Sequence, residues 1–386
     1  IGGEKPIQYL LPKLDHHNRE VIFETVKSLR LCNFQVQEED QIRFQPVIEN
    51  LIEITAWNIA ASLSTNEEEI GPYLEGALED EINLNFDSLF DLLSLAYEPQ
   101  TIFHIRDNLE SGTSEGVNFA LELLDLVIAE ELKPKLFPLL DDISREDKIK
   151  QLQDFYPIHK MDSPDLLLSV LNRDYNKVNV WTKACAILGF NYFKKAEITD
   201  DLIAQLFNPD PLLREISARM IFETNVEKYH ECVPRLPDLY KIELSKIVAV
   251  KDDQIHQLLA EKIFFVKKTK EFVDKPGVQI YELARNLESH SYNKNYDFLE
   301  DDSSHNDNFF WIIKGRVKMS RTNGEQVEIG KYDMFCNFSV NGDTNDSFTL
   351  KTIEDTLCYK IEREKLDGIL FDFPEIMEVF VKWIGE

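Results

Sequence analysis

One stretch decides the fold of the C-terminal part: residues 308–319 read NFFWIIKGRVKM. Aromatic and β-branched residues fill its first half, and such residues favour strands. A glycine then interrupts the run, as expected at a bend or turn. We therefore predict β structure from Asn308 to Met319. Three further runs of the same kind predict strands at 326–329, 348–352 and 357–361.

Helical patterns flank these strands on both sides, because apolar residues there recur at spacings of three and four. The predicted helices are Leu258 to Phe272, Gln279 to Leu287, Arg363 to Phe371 and Pro374 to Ile384. Short strands bracketed by helices are typical of an α+β unit. We therefore predict a small β-barrel domain with flanking helices over residues 256–386.

The preceding residues, 1–255, form a repetitive helical pattern. Apolar anchors recur at steps of 31 from Leu78 through Leu109 and Leu140 to Leu171. Each anchor is expected to end the first helix of a pair, with an apolar partner fifteen residues later in the second helix. One helical pair cannot bury its own apolar stripe, but stacked pairs can, so the pattern predicts an α-solenoid. The units resemble short HEAT-like repeats, although that family usually has about 40–47 residues per repeat.

Composition limits the possible functions. The chain has 386 residues, of which 43% are hydrophobic, so it can bury a core in each of two or three domains. Seventy acids oppose 42 bases, for a formal charge of -28. Binding of nucleic acid or of anionic lipid requires clustered Lys and Arg, so neither is predicted as a partner.

The cysteines and the hydropathy indicate the compartment. Five scattered cysteines without a CxxC pair are typical of free thiols in a reducing cytosol. No run of 18 apolar residues occurs, so we predict no direct membrane insertion by this segment. The first residue is Ile1 rather than Met, and we expect a fragment cut or processed from a longer protein.

Residues 260–386 resemble the cyclic-nucleotide-binding domain. Three stretches carry the resemblance. Lys267 to Phe272 look like the entry helix of that family, Phe310 to Met319 look like its strand, glycine turn and strand, and Glu354 to Leu366 look like its last strand running into the lid helix. The resemblance implies that the whole domain adopts this barrel fold.

The ligand-binding segment of that family, the phosphate cassette, is altered in this chain. The resemblance implies a Gly for close backbone approach, a Glu for the ribose hydroxyl and an Arg for the cyclic phosphate. Cys336, Asn337 and Asp346 stand at these positions. A charged hydrogen bond contributes about 1.5–3 kcal/mol, so its loss alone weakens binding by roughly ten- to a hundredfold. We predict that the barrel binds neither cyclic AMP nor cyclic GMP.

The order of the two parts resembles the soluble extension of bacterial ATP/ADP-carrier-like nucleotide transporters. Stretches 116–125, 136–140, 172–175 and 181–184 look like that group. The resemblance implies a non-catalytic regulatory or interaction module on the cytoplasmic side, tethered to the inner membrane. Its partner would be its own membrane domain or another protein with basic loops. The alternative is a free-standing small-molecule sensor or a scaffold, with an unknown ligand in the barrel.

No motif indicates catalysis, a metal or a cofactor. P-loop, GxGxxG and HExxH patterns are missing from the sequence. The pair His16-His17 and the pair His230 and Cys232 lack a third ligand at suitable spacing. We therefore predict no catalytic residue, no metal ligand and no cofactor, and we do not expect an enzyme. Residues 51–100 hold eleven acids and no base, which predicts a solvated face or a docking surface for a basic partner.

Overall fold

The computed structural model describes residues 4–37, 40–192, 198–299, 307–321, 324–338 and 348–385. The chain forms two compact units, which we call unit one (Ile1–Leu202) and unit two (Ile203–Glu386). The domain limits expected from the sequence, 1–255 and 256–386, mark where the helical repeat pattern ends. They are defined differently from the two compact units and stay a prediction.

In its described residues, unit one has helices and no β-strand. Its helices are α1 Glu4–Leu10, α2 Arg19–Leu31, α3 Gln41–Ser62, α4 Glu67–Ile70, α5 Tyr73–Ala96, α6 Pro99–Glu110, α7 Ser114–Val127, α8 Lys133–Leu140, α9 Arg145–Leu152, α10 Ser163–Asn172 and α11 Val180–Gly189. Helix α12, Asp200–Ala204, contains the limit between the units.

Polar residues in the connections start several of these helices. The Thr113 hydroxyl accepts a hydrogen bond from the Gly116 amide, and the Asp162 carboxylate accepts one from the Asp165 amide. Such caps satisfy amides that have no partner inside the helix. The polar segments between the apolar patterns therefore do act as helix boundaries.

One expectation about the repeats is wrong. Leu78 was expected to end a first helix and Leu93 to lie in a second, yet both are buried in the single 24-residue helix α5. Residues 79–92 contain neither Gly nor Pro, so nothing in them breaks the helix. Phe155, another expected helical position, follows the end of α9 and is 43% exposed.

Unit two begins with helices. They are α13 Pro211–Thr224, α14 Val226–Cys232, α15 Asp238–Val248, α16 Leu259–Lys267 and α17 Gly277–Arg285. Helix α16 was expected to continue to Phe272 but ends at Lys267. There the Thr269 amide and hydroxyl both bond the Val266 carbonyl, which makes a turn in place of the next helical bonds.

A β region of two antiparallel sheets follows, and two helices close the chain. The strands are β1 Glu288–Tyr292, β2 Asn308–Lys314, β3 Val317–Arg321, β4 Gln326–Ile329, β5 Met334–Cys336, β6 Phe348–Thr352 and β7 Thr356–Glu362. The sheets have the orders β1-β7-β2-β5 and β4-β3-β6. The last helices are α18 Arg363–Asp372 and α19 Pro374–Gly385. A small antiparallel β structure with flanking helices is confirmed.

The stretch 308–319 contains two strands separated by a glycine turn, as the resemblance implied. Gly315 separates β2 from β3 and has a φ of +94°, a conformation that side chains rarely adopt. A Cβ atom there would lie 2.6 Å from the Thr356 hydroxyl. The glycine is therefore needed both for the turn and for the close approach of β7.

Candidate functional site

The first two positions of the predicted phosphate cassette, Cys336 and Asn337, lie at the end of strand β5. Cys336 is the last residue of β5, and its backbone pairs with Phe309 of β2. Asn337 and Phe338 follow directly. The third cassette position, Asp346, lies outside the described residues.

The Asn337 side chain extends the ladder between β2 and β5. Its Oδ1 accepts a hydrogen bond of 2.7 Å from the Asn308 amide, while its own amide donates to the Asn308 carbonyl at 3.2 Å. The carboxamide thus continues the pairing of β2 with this segment by one backbone amide beyond Cys336. In this position, the Asn337 Oδ1 already accepts a hydrogen bond from the Asn308 backbone amide.

We expect Asn337→Ala to lower the free energy of unfolding by about 1–3 kcal/mol, because the Asn308 amide would lose this acceptor. Asn337→Asp keeps an oxygen at the same place and should lower the free energy by much less. Urea unfolding of both variants measures the difference. Equal stability of Asn337→Ala and the wild type would contradict the role of this side chain.

Cys336 carries a thiol with little reactivity. Its Sγ donates a weak hydrogen bond to the Phe338 carbonyl at 3.3 Å. Burial raises the pKa of the thiol, so it stays protonated at neutral pH. A buried, protonated thiol of this kind is a poor nucleophile.

Aromatic rings fill the space between the two sheets. Phe310 and Phe335, a cross-strand pair, stack with their ring centroids 4.8 Å apart. Phe298 packs edge-on against both, at 5.1 and 4.9 Å. Aliphatic residues of both sheets complete this cluster. Interior packing of this kind stabilises the β region through apolar burial.

A second aromatic group joins the cassette to the last helix. Phe309 alternates with Phe310 along β2 and so faces the other side of the sheet. Its ring contacts Phe338 at 5.1 Å and Phe380 of α19 at 5.5 Å. Arg363 lies over the Phe338 ring and pairs with Asp307. The sequence analysis did not predict this aromatic group. The alternation of side-chain direction along β2 could have indicated that Phe309 and Phe310 face opposite sides of the sheet.

The acidic stretch 51–100 is partly neutralised inside unit one. Its acids pair with bases from other helices and connections: Glu53 with Lys177, Glu79 with Arg145, Glu81 with Arg19, Asp87 with Arg106, and Asp91 with Arg30. Glu67, Glu68 and Glu69 are exposed in the first turn of α4, where acids favour the helix. The acidic surface is therefore smaller than the sequence count implies.

The other candidate clusters do not assemble a site. His16 and His17 stack on each other, and His16 Nδ1 accepts a hydrogen bond from the Asn18 amide within a turn. His230 packs against Phe222. Among the described residues, no three His, Cys, Asp or Glu side chains come together as metal ligands would. No helix in the described part of the chain is both long and apolar enough to cross a membrane.

No protein-family model matches the sequence. No curated protein matches it either. Solved structures similar to part of the chain include a CooA mutant from Carboxydothermus hydrogenoformans, with 16% identity and a TM-score of 0.23, over 32% of this chain and 75% of that chain. Another is a cAMP-bound PfPKA-R, with 19% identity and a TM-score of 0.28, over 38% of this chain and 50% of that chain.

The sensor domain of the transcriptional regulator DNR from Pseudomonas aeruginosa is also similar, with 14% identity and a TM-score of 0.28, over 33% of this chain and 88% of that chain. At such identities and TM-scores, the similarity assigns neither a ligand nor a function to this chain.

Proposed function

We propose that this chain is a non-catalytic regulatory or interaction module. Its helical pairs form a short HEAT-like solenoid that offers surface, and its C-terminal part is a cyclic-nucleotide-binding-like barrel that no longer binds cyclic nucleotides. The observation that carries the proposal is the Asn337 side chain, whose oxygen is bonded to the Asn308 amide at the place where the family has its ribose-binding Glu.

Two further features support the loss of the ligand. Cys336 places a side chain where close backbone approach needs a glycine. Asp346 stands at the position of the family's phosphate-binding Arg, so a carboxylate would meet an anionic ligand. The aromatic rings between the sheets give the β region a packed interior, which makes it a rigid domain without help from a ligand.

The proposed location and partner rest on the sequence resemblance. The module would lie on the cytoplasmic side of the inner membrane as part of an ATP/ADP-carrier-like transporter. It would contact its own membrane domain or another protein with basic loops. The formal charge of -28 favours a basic partner over nucleic acid. Sequencing the gene upstream of the codon for Ile1 tests the proposed attachment to a membrane domain. We expect it to encode hydrophobic membrane spans.

Calorimetry with cyclic AMP and cyclic GMP tests the loss of binding. We expect no binding tighter than about 10 μM, which corresponds to about -7 kcal/mol. The double variant Asn337→Glu with Asp346→Arg restores two of the three family residues and serves as the comparison. Tight binding by the wild type would refute the proposal.

A further inference from the structure

An open groove lies in unit one, beside the connection from α7 to α8 and past the end of α9. Its volume is about 530 Å³. The apolar residues that line this groove, which we call the α7–α9 groove, are Pro134, Phe137, Pro138 and Phe155. The Phe155 ring is 43% exposed, although the residue was expected to lie in the second helix of a repeat. An aromatic ring thus lies open to solvent in a concave surface.

The charged residues that line the α7–α9 groove are mostly acidic. Asp125, Glu130 and Asp154 line it together with one base, Lys133. Lys133 Nζ pairs with Asp125 at 3.0 Å and with Glu130 at 2.6 Å, so one cation is shared between two carboxylates. In the described part of the chain, Asp154 has no salt bridge. The groove therefore keeps an excess of two negative charges.

This groove differs from the acidic stretch that the sequence singled out. In residues 51–100, several acids are paired with bases of other helices. In the α7–α9 groove, Asp154 has no salt bridge within the described part of the chain and lies next to the exposed Phe155. Aromatic rings flanked by carboxylates complement a cation with an apolar neighbour, because the ring faces attract cations and the carboxylates pair with them.

We propose that the α7–α9 groove binds a basic segment of a partner protein, in which an apolar side chain lies next to Lys or Arg. The apolar side chain packs on Phe137 and Phe155, and the cation pairs with Asp154. This inference rests on the proposed interaction function and names the partner chemistry and the surface. Contacts at such an open site are screened by salt, so the complex is weak and its affinity falls as ionic strength rises.

The test uses the full chain and a fluorescent, amidated peptide of alternating Arg and Leu, with binding followed by anisotropy at 50 and 150 mM salt. The groove variant is Asp154→Asn with Phe155→Ser. The matched control is Phe103→Ser with Asp107→Asn on α6, which also removes an exposed ring and an exposed acid. We expect the groove variant to bind about tenfold more weakly and the control to bind like the wild type; tenfold corresponds to about 1.4 kcal/mol.

All four substituted residues are exposed, so the variants should fold, which circular dichroism verifies. Equal weakening by the groove variant and the control would mean general attraction to an acidic surface and would overturn the inference. Binding of the peptide that is unaffected by either variant, or no binding by the wild type, would also overturn it. The proposed function fails by a separate measurement, namely the binding of a cyclic nucleotide in calorimetry.

Discussion

Replacing Glu81 by Ala should lower the free energy of unfolding by about 3–5 kcal/mol, the effect expected for breaking a buried ion pair. The Glu81 side chain is fully buried in helix α5. One of its oxygens pairs with Arg19 at 2.9 Å, and the other accepts hydrogen bonds from the Asn179 amide at 2.6 Å and the Thr182 hydroxyl at 3.2 Å. Removal of the carboxylate leaves the buried Arg19 without this counter-charge.

The matched control is Glu79→Ala, two residues earlier on the same helix. Glu79 pairs with Arg145, and both side chains are partly exposed, so we expect a loss of no more than about 1 kcal/mol. Urea unfolding of the full chain, followed by circular dichroism, compares the two variants. A Glu81→Ala protein as stable as Glu79→Ala would contradict the importance of the buried network.

The second large effect concerns Glu215 and pH. This residue of α13 is 7% exposed, and its carboxylate accepts hydrogen bonds from the amides of Leu259 and Ala260 at the start of α16. Burial raises the pKa of Glu215 to about 7, although these two amides and the nearby Lys262 and Arg219 act in the opposite direction.

The sign of the pH effect follows from proton binding. Between about pH 4.5 and 7 the unfolded chain has released this proton, while the folded chain still holds it. Stability contributed by Glu215 is therefore fully present below about pH 4.5 and is lost as the pH rises to about 7, by about 3 kcal/mol in total.

The variant Glu215→Gln isolates this contribution from the other charges of an acidic protein. We expect the free energy of unfolding of the wild type, relative to this variant, to fall as the pH is raised from 5 to 8. Glu223→Gln, at an exposed position of the same helix, should change far less over that range. A difference between wild type and Glu215→Gln that is constant with pH would show that Glu215 does not titrate there.

The strands and the closing helices could be predicted because their signals are local. Aromatic and β-branched runs, the break at Gly315 and the helical spacing after residue 362 each lie within about ten residues. Strands β1 and β5 were missing from the prediction, since Glu288–Tyr292 is polar and Met334–Cys336 has only three residues. Tertiary pairing with β7 and β2 makes them strands despite these weak local signals.

The candidate site was only partly predictable for the same reason. The sequence shows which residue types stand at the predicted cassette positions, Cys336 and Asn337 among them. It does not show that the Asn337 oxygen is bonded to an amide 29 residues earlier. That bond depends on the register between β2 and β5, which is a property of the assembled sheet.

The sequence by itself determined the mixed architecture, the acidic character and the identity of the residues at the predicted cassette positions, because composition and short-range periodicity are properties of the chain. Tertiary structure alone decided which acidic side chains pair with bases and which stay exposed. Glu81 meets Arg19 across 62 residues and Asn179 across 98, so no local pattern can reveal that it is neutralised. The same holds for Phe155, whose exposure at the α7–α9 groove follows from the end of α9, since apolar spacing alone placed it inside a second helix.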